Sequence, residues 1–315
     1  MERKIQLSDL RSTLSDIYEK YRNLDVADKA AVDPRIPTDN PQAFGLAVTL
    51  TDGTVIAVGD SSVAVPMTSI SKIPLDLTLL TQYSVKEFAE RSGLCKCGCK
   101  DKDKCGSKPK TPVSAKGIRA MSMLQPTGDP EGKWDILSST MIGMTGSSPV
   151  LNDKFYEKMM AENKAANTEN VIAETGYYLY DDAPIAIDLY TKLSAMSASA
   201  EQLSTMAATI AADGFNPVTK ANVFDGSLSQ RIVALMAAKG PHKMAKPWLM
   251  MTGLPAMTSY AGTMVGVLPG VLGIAAYSPM VNGAGISVRA AHAIADFMNS
   301  LQLSALSSSR VEIEK

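Results

Sequence analysis

Thr68-Ser69-Ile70-Ser71-Lys72-Ile73-Pro74-Leu75 stands between an apolar run, Val63-Ala64-Val65-Pro66-Met67, and a leucine-rich continuation, Asp76-Leu77-Thr78-Leu79-Leu80-Thr81-Gln82-Tyr83. If a helix opens here, Ser69 and Lys72 are i and i+3 on one face, and the helix N-terminus adds a positive field around them. Pro74 is tolerated because it falls in the first turn. A lysine so placed becomes a base once desolvation and nearby positive charge lower its pKa, with Ser69 as the nucleophile it activates. The same spacing recurs at Ser107 and Lys110 in a polar loop, so context has to discriminate. Only Ser69 follows a strand pair and opens an apolar helix; the competing reading makes it a plain N-cap.

Upstream, Phe44–Leu50 and Thr54–Asp60 are two β-rich runs around Thr51-Asp52-Gly53, the signature of a hairpin. Before them, Leu10, Leu14, Ile17 and Tyr21 recur at helical spacing behind Ser8, a candidate N-cap, which predicts an opening helix over 8–22. Downstream, Ser84 with Glu87 and Ser199 with Gln202 have capping-box spacing, and residues 114–125, 153–176 and 183–196 carry apolar residues at helical intervals. Three apolar runs, 249–254, 262–268 and 272–278, predict adjacent strands of one sheet, covered by the first helix and a last one over 288–302. The fold class is therefore α/β of the α+β kind: a central antiparallel sheet assembled from both chain ends, with a helical insertion. The last residues, 304–315, read as a flexible tail.

The 315 residues carry 31 Lys+Arg against 32 Asp+Glu, a formal charge of -1. That balance argues against a nucleic-acid partner, which calls for a basic excess. No apolar stretch follows the charges of the first residues, which predicts a cytoplasmic protein. Between Lys246 and Arg289 there is no charge, but glycines and prolines interrupt the segment repeatedly, so buried strands are expected and a membrane span is not. All four cysteines, Cys95, Cys97, Cys99 and Cys105, lie in one lysine-rich loop. Their spacing suits Zn or Cu(I), and it equally suits a reduced hydrophilic loop without metal.

These segments, taken in order, resemble the serine-dependent glutaminases, which share the β-lactamase and DD-peptidase type of fold. Thr68-Ser69-Ile70-Ser71-Lys72 is similar to the family's nucleophile segment. Met206–Pro217 resembles its helix ending in Asn-Pro, Gly253-Leu254-Pro255-Ala256 the opening of a strand, and Ser278–Ser287 a later turn. The resemblance implies a single domain over 1–315 with a helical subdomain at about 75–215. It implies an amidohydrolase of linear amides that needs no cofactor, takes a small-molecule amide substrate and self-associates as a homo-oligomer. By the same resemblance Ser69 is acylated, Lys72 is its base, Glu162 holds the substrate amino group and Tyr190 lines the pocket.

Other family positions are rewritten. The family's catalytic tyrosine falls on Lys29, a substrate asparagine on Glu169, a second pocket tyrosine on His242, and the Lys-Ser-Gly-Val strand on Met257–Tyr260. Lys29 then offers another base or cation, His242 a group that titrates near neutrality, and Tyr260 its backbone N–H beside that of Ser69 as an oxyanion hole. Each of Lys29, Glu169 and His242 also reads as a surface residue. If Glu162 and Glu169 share one face, two carboxylates disfavour a free α-carboxylate, and glutamine is expected to be a poor substrate. The alternative function is a non-catalytic or repurposed homologue that binds a ligand in the remodelled pocket.

Overall fold

The computed structural model describes residues 2–36, 38–94 and 110–315. The chain packs as two compact units, one comprising Met1–Ile70, Ile142–Val150 and Ser197–Lys315, the other Ser71–Met141 and Leu151–Met196.

The first unit is built on a five-stranded antiparallel sheet in the order Ala256–Thr258, Thr263–Leu268, Leu272–Tyr277, Gly45–Leu50, Val55–Gly59. Strands from both chain ends thus meet in one sheet, at the register Ile274↔Val48 and Ala276↔Leu46. The hairpin forms as its sequence predicts: Asp52 Oδ1 accepts Thr54 N–H at 2.8 Å, and Gly53 takes the φ of 97° that the turn needs.

Successive side chains of a strand point to opposite faces, and the two faces of this sheet differ in residue size. One carries Leu46, Val48, Met264 and Ile274, packed with Leu10, Leu14 and Ile17 of the opening helix (Leu7–Arg22) and Ile294 and Phe297 of the closing helix (Val288–Ser300). Each such side chain contributes about 1.5–3 kcal/mol on full burial. The alternate positions, Ala47, Thr49, Gly273 and Ala275, are small, and the helix Ala200–Ala211 lies close against them. Thr49 Oγ1 is 2.8 Å from Ser204 Oγ, and a Cβ on Gly273 would come within 2.3 Å of Ala208 N. Only glycine permits that approach.

Four expectations are corrected. Residues 249–254 are not a strand: they finish the helix Ala245–Thr252, which ends at Gly253 with φ 62°. The indole of Trp248 is buried and donates to Leu254 O at 2.9 Å, anchoring this helix end; a short apolar run has the same composition in either state. Ser8 is not an N-cap, because the strand Glu2–Gln6 runs directly into the helix at Leu7. Residues 310–314 are not a tail. They form a strand parallel to Glu2–Gln6, with Val311 and Ile313 packed against the core and Lys4 Nζ 2.6 Å from Glu314 Oε1. The alternation Val-Glu-Ile-Glu is a strand period. Finally, residues 197–215 belong with the sheet rather than the helical unit, because the small face just described takes up their helix.

The second unit is helical: Lys72–Gln82, Val85–Arg91, Ala115–Met123, most of Pro130–Thr145, Asp153–Ala165, Thr168–Glu174 and Ala183–Ala195. The Ser84/Glu87 capping box is present, as is that of Ser199 and Gln202 in the sheet unit. Ala183–Ala195 packs against Ala115–Met123 and Asp153–Ala165. Lys133 and Asp181 form an ion pair whose side chains are only 1% and 4% exposed. Asp181 also accepts Gly128 N–H at 3.0 Å and Asp182 N–H at 2.8 Å, so the pair ties the turn after Gln125 to the start of the Ala183 helix. No described helix is long and apolar enough to cross a membrane.

Candidate active site

Ser69 lies in the 3-10 turn Thr68–Ser71, which continues without a break into the helix Lys72–Gln82, so Lys72 follows one turn after the serine. The residue before the serine is strained. Thr68 has φ 43°, an unfavourable region for a β-branched side chain that costs about 1–3 kcal/mol. It is held there by its hydroxyl, 2.5 Å from Ser259 Oγ, with both residues buried. Ser259 in turn accepts Ala261 N–H at 3.0 Å, closing the turn that carries Tyr260. Within the sheet unit, therefore, the peptide of Ser69 and that of Tyr260 follow two residues joined by a hydrogen bond.

Around Tyr260 stand two groups. The Arg35 guanidinium lies over its ring, 4.3 Å from the centroid, and is itself gripped by Asp33 through two bonds of 2.9 and 2.7 Å. His242 is exposed with φ 51°; its Nε2 and the Tyr260 Cβ flank Gly285, at 3.9 and 3.7 Å from where a Cβ on that glycine would sit. Lys29 is exposed in the turn after Val26.

In the helical unit, the Lys72 ammonium donates to Ser114 Oγ at 2.9 Å and lies 5.9 Å from the Tyr190 ring centroid. Ser114 is the N-cap residue of Ala115–Met123, yet its hydroxyl makes no capping bond and meets the lysine instead. Lys72 is half-buried, and burial pushes its ammonium below the usual lysine range against the upward pull of the Asp76 carboxylate. Tyr190 is fully enclosed. Burial drives its hydroxyl well above the usual phenol range, an effect eased by Ser194 and Ser114 and reinforced by Asp76. The ring rests on the backbone of Gly117, where a Cβ would fall 1.9 Å from Cζ. Lysine, serine and tyrosine thus form one cluster, under the influence of the Asp76 carboxylate.

Glu162 is half-buried in the helix Asp153–Ala165, whereas Glu169 is exposed in the first turn of a separate helix, Thr168–Glu174. The chain breaks between them at Asn167, with φ 49°, so their seven-residue spacing does not put them on one helical face. The premise for two converging carboxylates is removed. Between them Asn163 is buried, donating to Thr191 Oγ1 and accepting from Thr168 Oγ1, each at 3.2 Å, which fixes this helix to the one that carries Tyr190. The cysteine loop lies outside the described residues. Among those described, no group of three or more His, Cys, Asp or Glu is arranged to hold a metal.

Sequence reasoning missed Asp76, Ser114, Gly117 and Thr68. Asp76 had a signal, a lone acid inside an apolar helix four residues after the lysine. Ser114 had a weaker one, as a capping residue before Ala-Lys-Gly. Nothing local marks Gly117 or the left-handed Thr68, because what they answer to arrives from elsewhere in the chain.

The Glutaminase family profile matches residues 28–306. The chain is 34% identical to a glutaminase of Parabacteroides distasonis over 99% of both chains, and 36% identical to one of Bacteroides thetaiotaomicron over 98% of both. A solved structure of a probable glutaminase, ybaS, superposes with a TM-score of 0.85 at 25% identity, covering 96% of this chain and 100% of its own. The Bacillus subtilis glutaminase YbgJ, solved as a covalent complex with 5-oxo-L-norleucine, shares the fold at a TM-score of 0.79 and 21% identity, over 93% of this chain and 99% of its own. The architecture is the serine β-lactamase-like one, and the chain belongs to the glutaminase family.

Proposed function

We propose that this protein hydrolyses the side-chain amide of glutamine through an acyl-enzyme on Ser69, with Lys72 as the base. The observation that carries the proposal is the environment of Lys72: one turn after the serine, bonded to a neutral hydroxyl, and pushed by burial toward the free amine. Neutral Lys72 takes the Ser69 Oγ proton as Oγ bonds to the carboxamide carbon. Backbone N–H groups of Ser69 and Tyr260 receive the oxyanion, a role supported by the Thr68–Ser259 bond that joins their two turns. Collapse breaks the C–N bond, the lysine ammonium gives its proton to the leaving nitrogen, and ammonia departs. Water then attacks the ester, losing a proton to Lys72, which returns one to Ser69 as glutamate is released.

Glu162 is assigned to the substrate ammonium and Tyr190 to the pocket wall, both by family resemblance. The covalent norleucine complex of the Bacillus subtilis relative supports the acyl-enzyme. Incubation with l-glutamine and a panel of amino-acid amides tests the reading. Ammonia release from glutamine and a mass adduct after 6-diazo-5-oxo-l-norleucine are expected. Neither ammonia from any amide nor an adduct would leave the chain a binding homologue.

Two substitutions separate the pocket wall from the surface. Gly117→Ala forces a methyl into the Tyr190 ring, and is expected to lower kcat at least about tenfold and stability by about 1–3 kcal/mol, as overpacking does. Steady-state kinetics with thermal unfolding check it, and an unchanged kcat would show that the ring shifts freely. Glu169→Asn, by contrast, removes an exposed charge in high-dielectric surroundings. Its KM for glutamine is expected to change less than about threefold. A tenfold improvement would restore Glu169 as the electrostatic obstacle the sequence suggested.

A further inference from the structure

Asp76 is the only acid in the helix Lys72–Gln82, and it lies inside a run, Ile73–Leu80, whose members are all buried. A carboxylate in that position is costly unless something there uses its charge. Four residues after Lys72, it stands one turn along the same helical face. Its charge acts both on the Lys72 ammonium and on the Tyr190 hydroxyl.

The other charged groups on the neighbouring helices of this unit are engaged elsewhere or exposed. On Ala115–Met123, Lys116 is exposed and Arg119 donates to Arg91 O at 2.9 Å. On Val85–Arg91, Lys86, Glu87 and Glu90 are exposed and Arg91 lies over the Tyr83 ring. On Ala183–Ala195, Asp188 accepts the Tyr156 hydroxyl and Lys192 lies over Trp134 at 4.0 Å, leaving Tyr190 as the titratable group of that helix beside Lys72.

We propose that Asp76 is the positioning residue of the base: its carboxylate counters the Lys72 ammonium, keeps it directed at Ser114 and Tyr190, and sets the pH above which Lys72 is free to take a proton. The inference rests on the reading of Lys72 as the base of the reaction. Two opposed influences then meet at one amine. Burial favours the neutral form, and Asp76 opposes it by favouring the ammonium.

Removing the negative charge leaves burial unopposed, so the free amine persists to lower pH and the acid limb of kcat/KM moves down. A shift of about one pH unit is expected, equivalent to a tenfold rise in free amine at fixed pH on that limb.

The test reads Lys72 directly, without substrate. The intact protein and its Asp76→Asn and Asp76→Glu variants are labelled with limiting acetic anhydride across a pH series, and Lys72 acylation is quantified by peptide mass spectrometry. The expected result is a Lys72 midpoint about one pH unit lower in Asp76→Asn, unchanged within a few tenths in Asp76→Glu, with the acid limb of kcat/KM tracking both. An Asp76→Asn midpoint equal to that of the unaltered protein overturns the proposal, even if kcat falls, since the role is then only structural. Should Asp76→Asn not fold, Asp76→Ser carries the same two outcomes. A midpoint that moves in a protein with no glutamine hydrolysis sinks the proposed function and leaves the hold of Asp76 on Lys72 standing.

Discussion

Ser69→Ala is expected to lower kcat for glutamine about 10⁴-fold or more and to abolish the adduct with 6-diazo-5-oxo-l-norleucine. The loss is this large because Ser69 stands one turn ahead of the lysine while the Thr68 hydroxyl of the same turn is bonded to Ser259 Oγ, and the substitution removes a single oxygen from a half-buried position and leaves the helix start intact. Lys72→Met is expected to be equally inactive, and the double variant no worse than either single one, since nucleophile and base act as a unit. Lys72→Arg is the sharper arm. A guanidinium keeps the positive charge but does not give up its proton, so this variant should be as inactive as the methionine if the lysine is a base. Ammonia release in single turnover and intact-protein mass check all four. More than about 1% residual kcat in Ser69→Ala, or near-normal activity in Lys72→Arg, would refute the acyl-enzyme on Ser69 or the role of the lysine respectively.

Lys133→Met is expected to cost about 3–5 kcal/mol of stability, the largest purely structural effect we foresee. Both partners of the Lys133–Asp181 pair are buried, and among the described residues Lys133 has no other hydrogen-bond partner. Burial drives the Asp181 carboxyl up, but the lysine and the amides of Gly128 and Asp182 outweigh it and hold it below the usual carboxylate range. Deleting the cation leaves that carboxylate charged and uncompensated. A carboxyl with a depressed folded-state pKa contributes stability at neutral pH that is lost as pH falls through that depressed value. The gap between the variant and the parent should therefore close on strong acidification and be full at pH 7. Thermal unfolding should show a drop of about 5–10 °C at neutral pH, and Lys133→Met with Asp181→Asn should recover part of it, the amide oxygen still serving the two N–H donors. A drop below about 2 °C at pH 7 would mean that water or a neighbouring group takes over the charge.

The parts of this protein that the sequence by itself determined are those in which the deciding groups are close along the chain. A hairpin around Asp52-Gly53, capping boxes at Ser84 and Ser199, a serine one turn ahead of a lysine and the sheet built from both ends could all be read from spacing, period and turn chemistry. The same logic failed where a local pattern has two solutions. The run 249–254 has the composition of a buried strand and of a helix end, and the placement of Trp248 chose the helix. The seven-residue interval between Glu162 and Glu169 holds for one continuous helix, and the left-handed Asn167 divides it in two. Tertiary structure alone decided the rest: that Gly117 must be bare because the Tyr190 ring lies on it, that Thr68 is held left-handed by Ser259, and that Ser114 meets Lys72 instead of capping its own helix. Spacing along the chain specifies which residues share a face. What that face meets, and hence how far a buried amine is driven toward its neutral form, depends on packing between segments distant in sequence, where low dielectric magnifies every neighbouring charge.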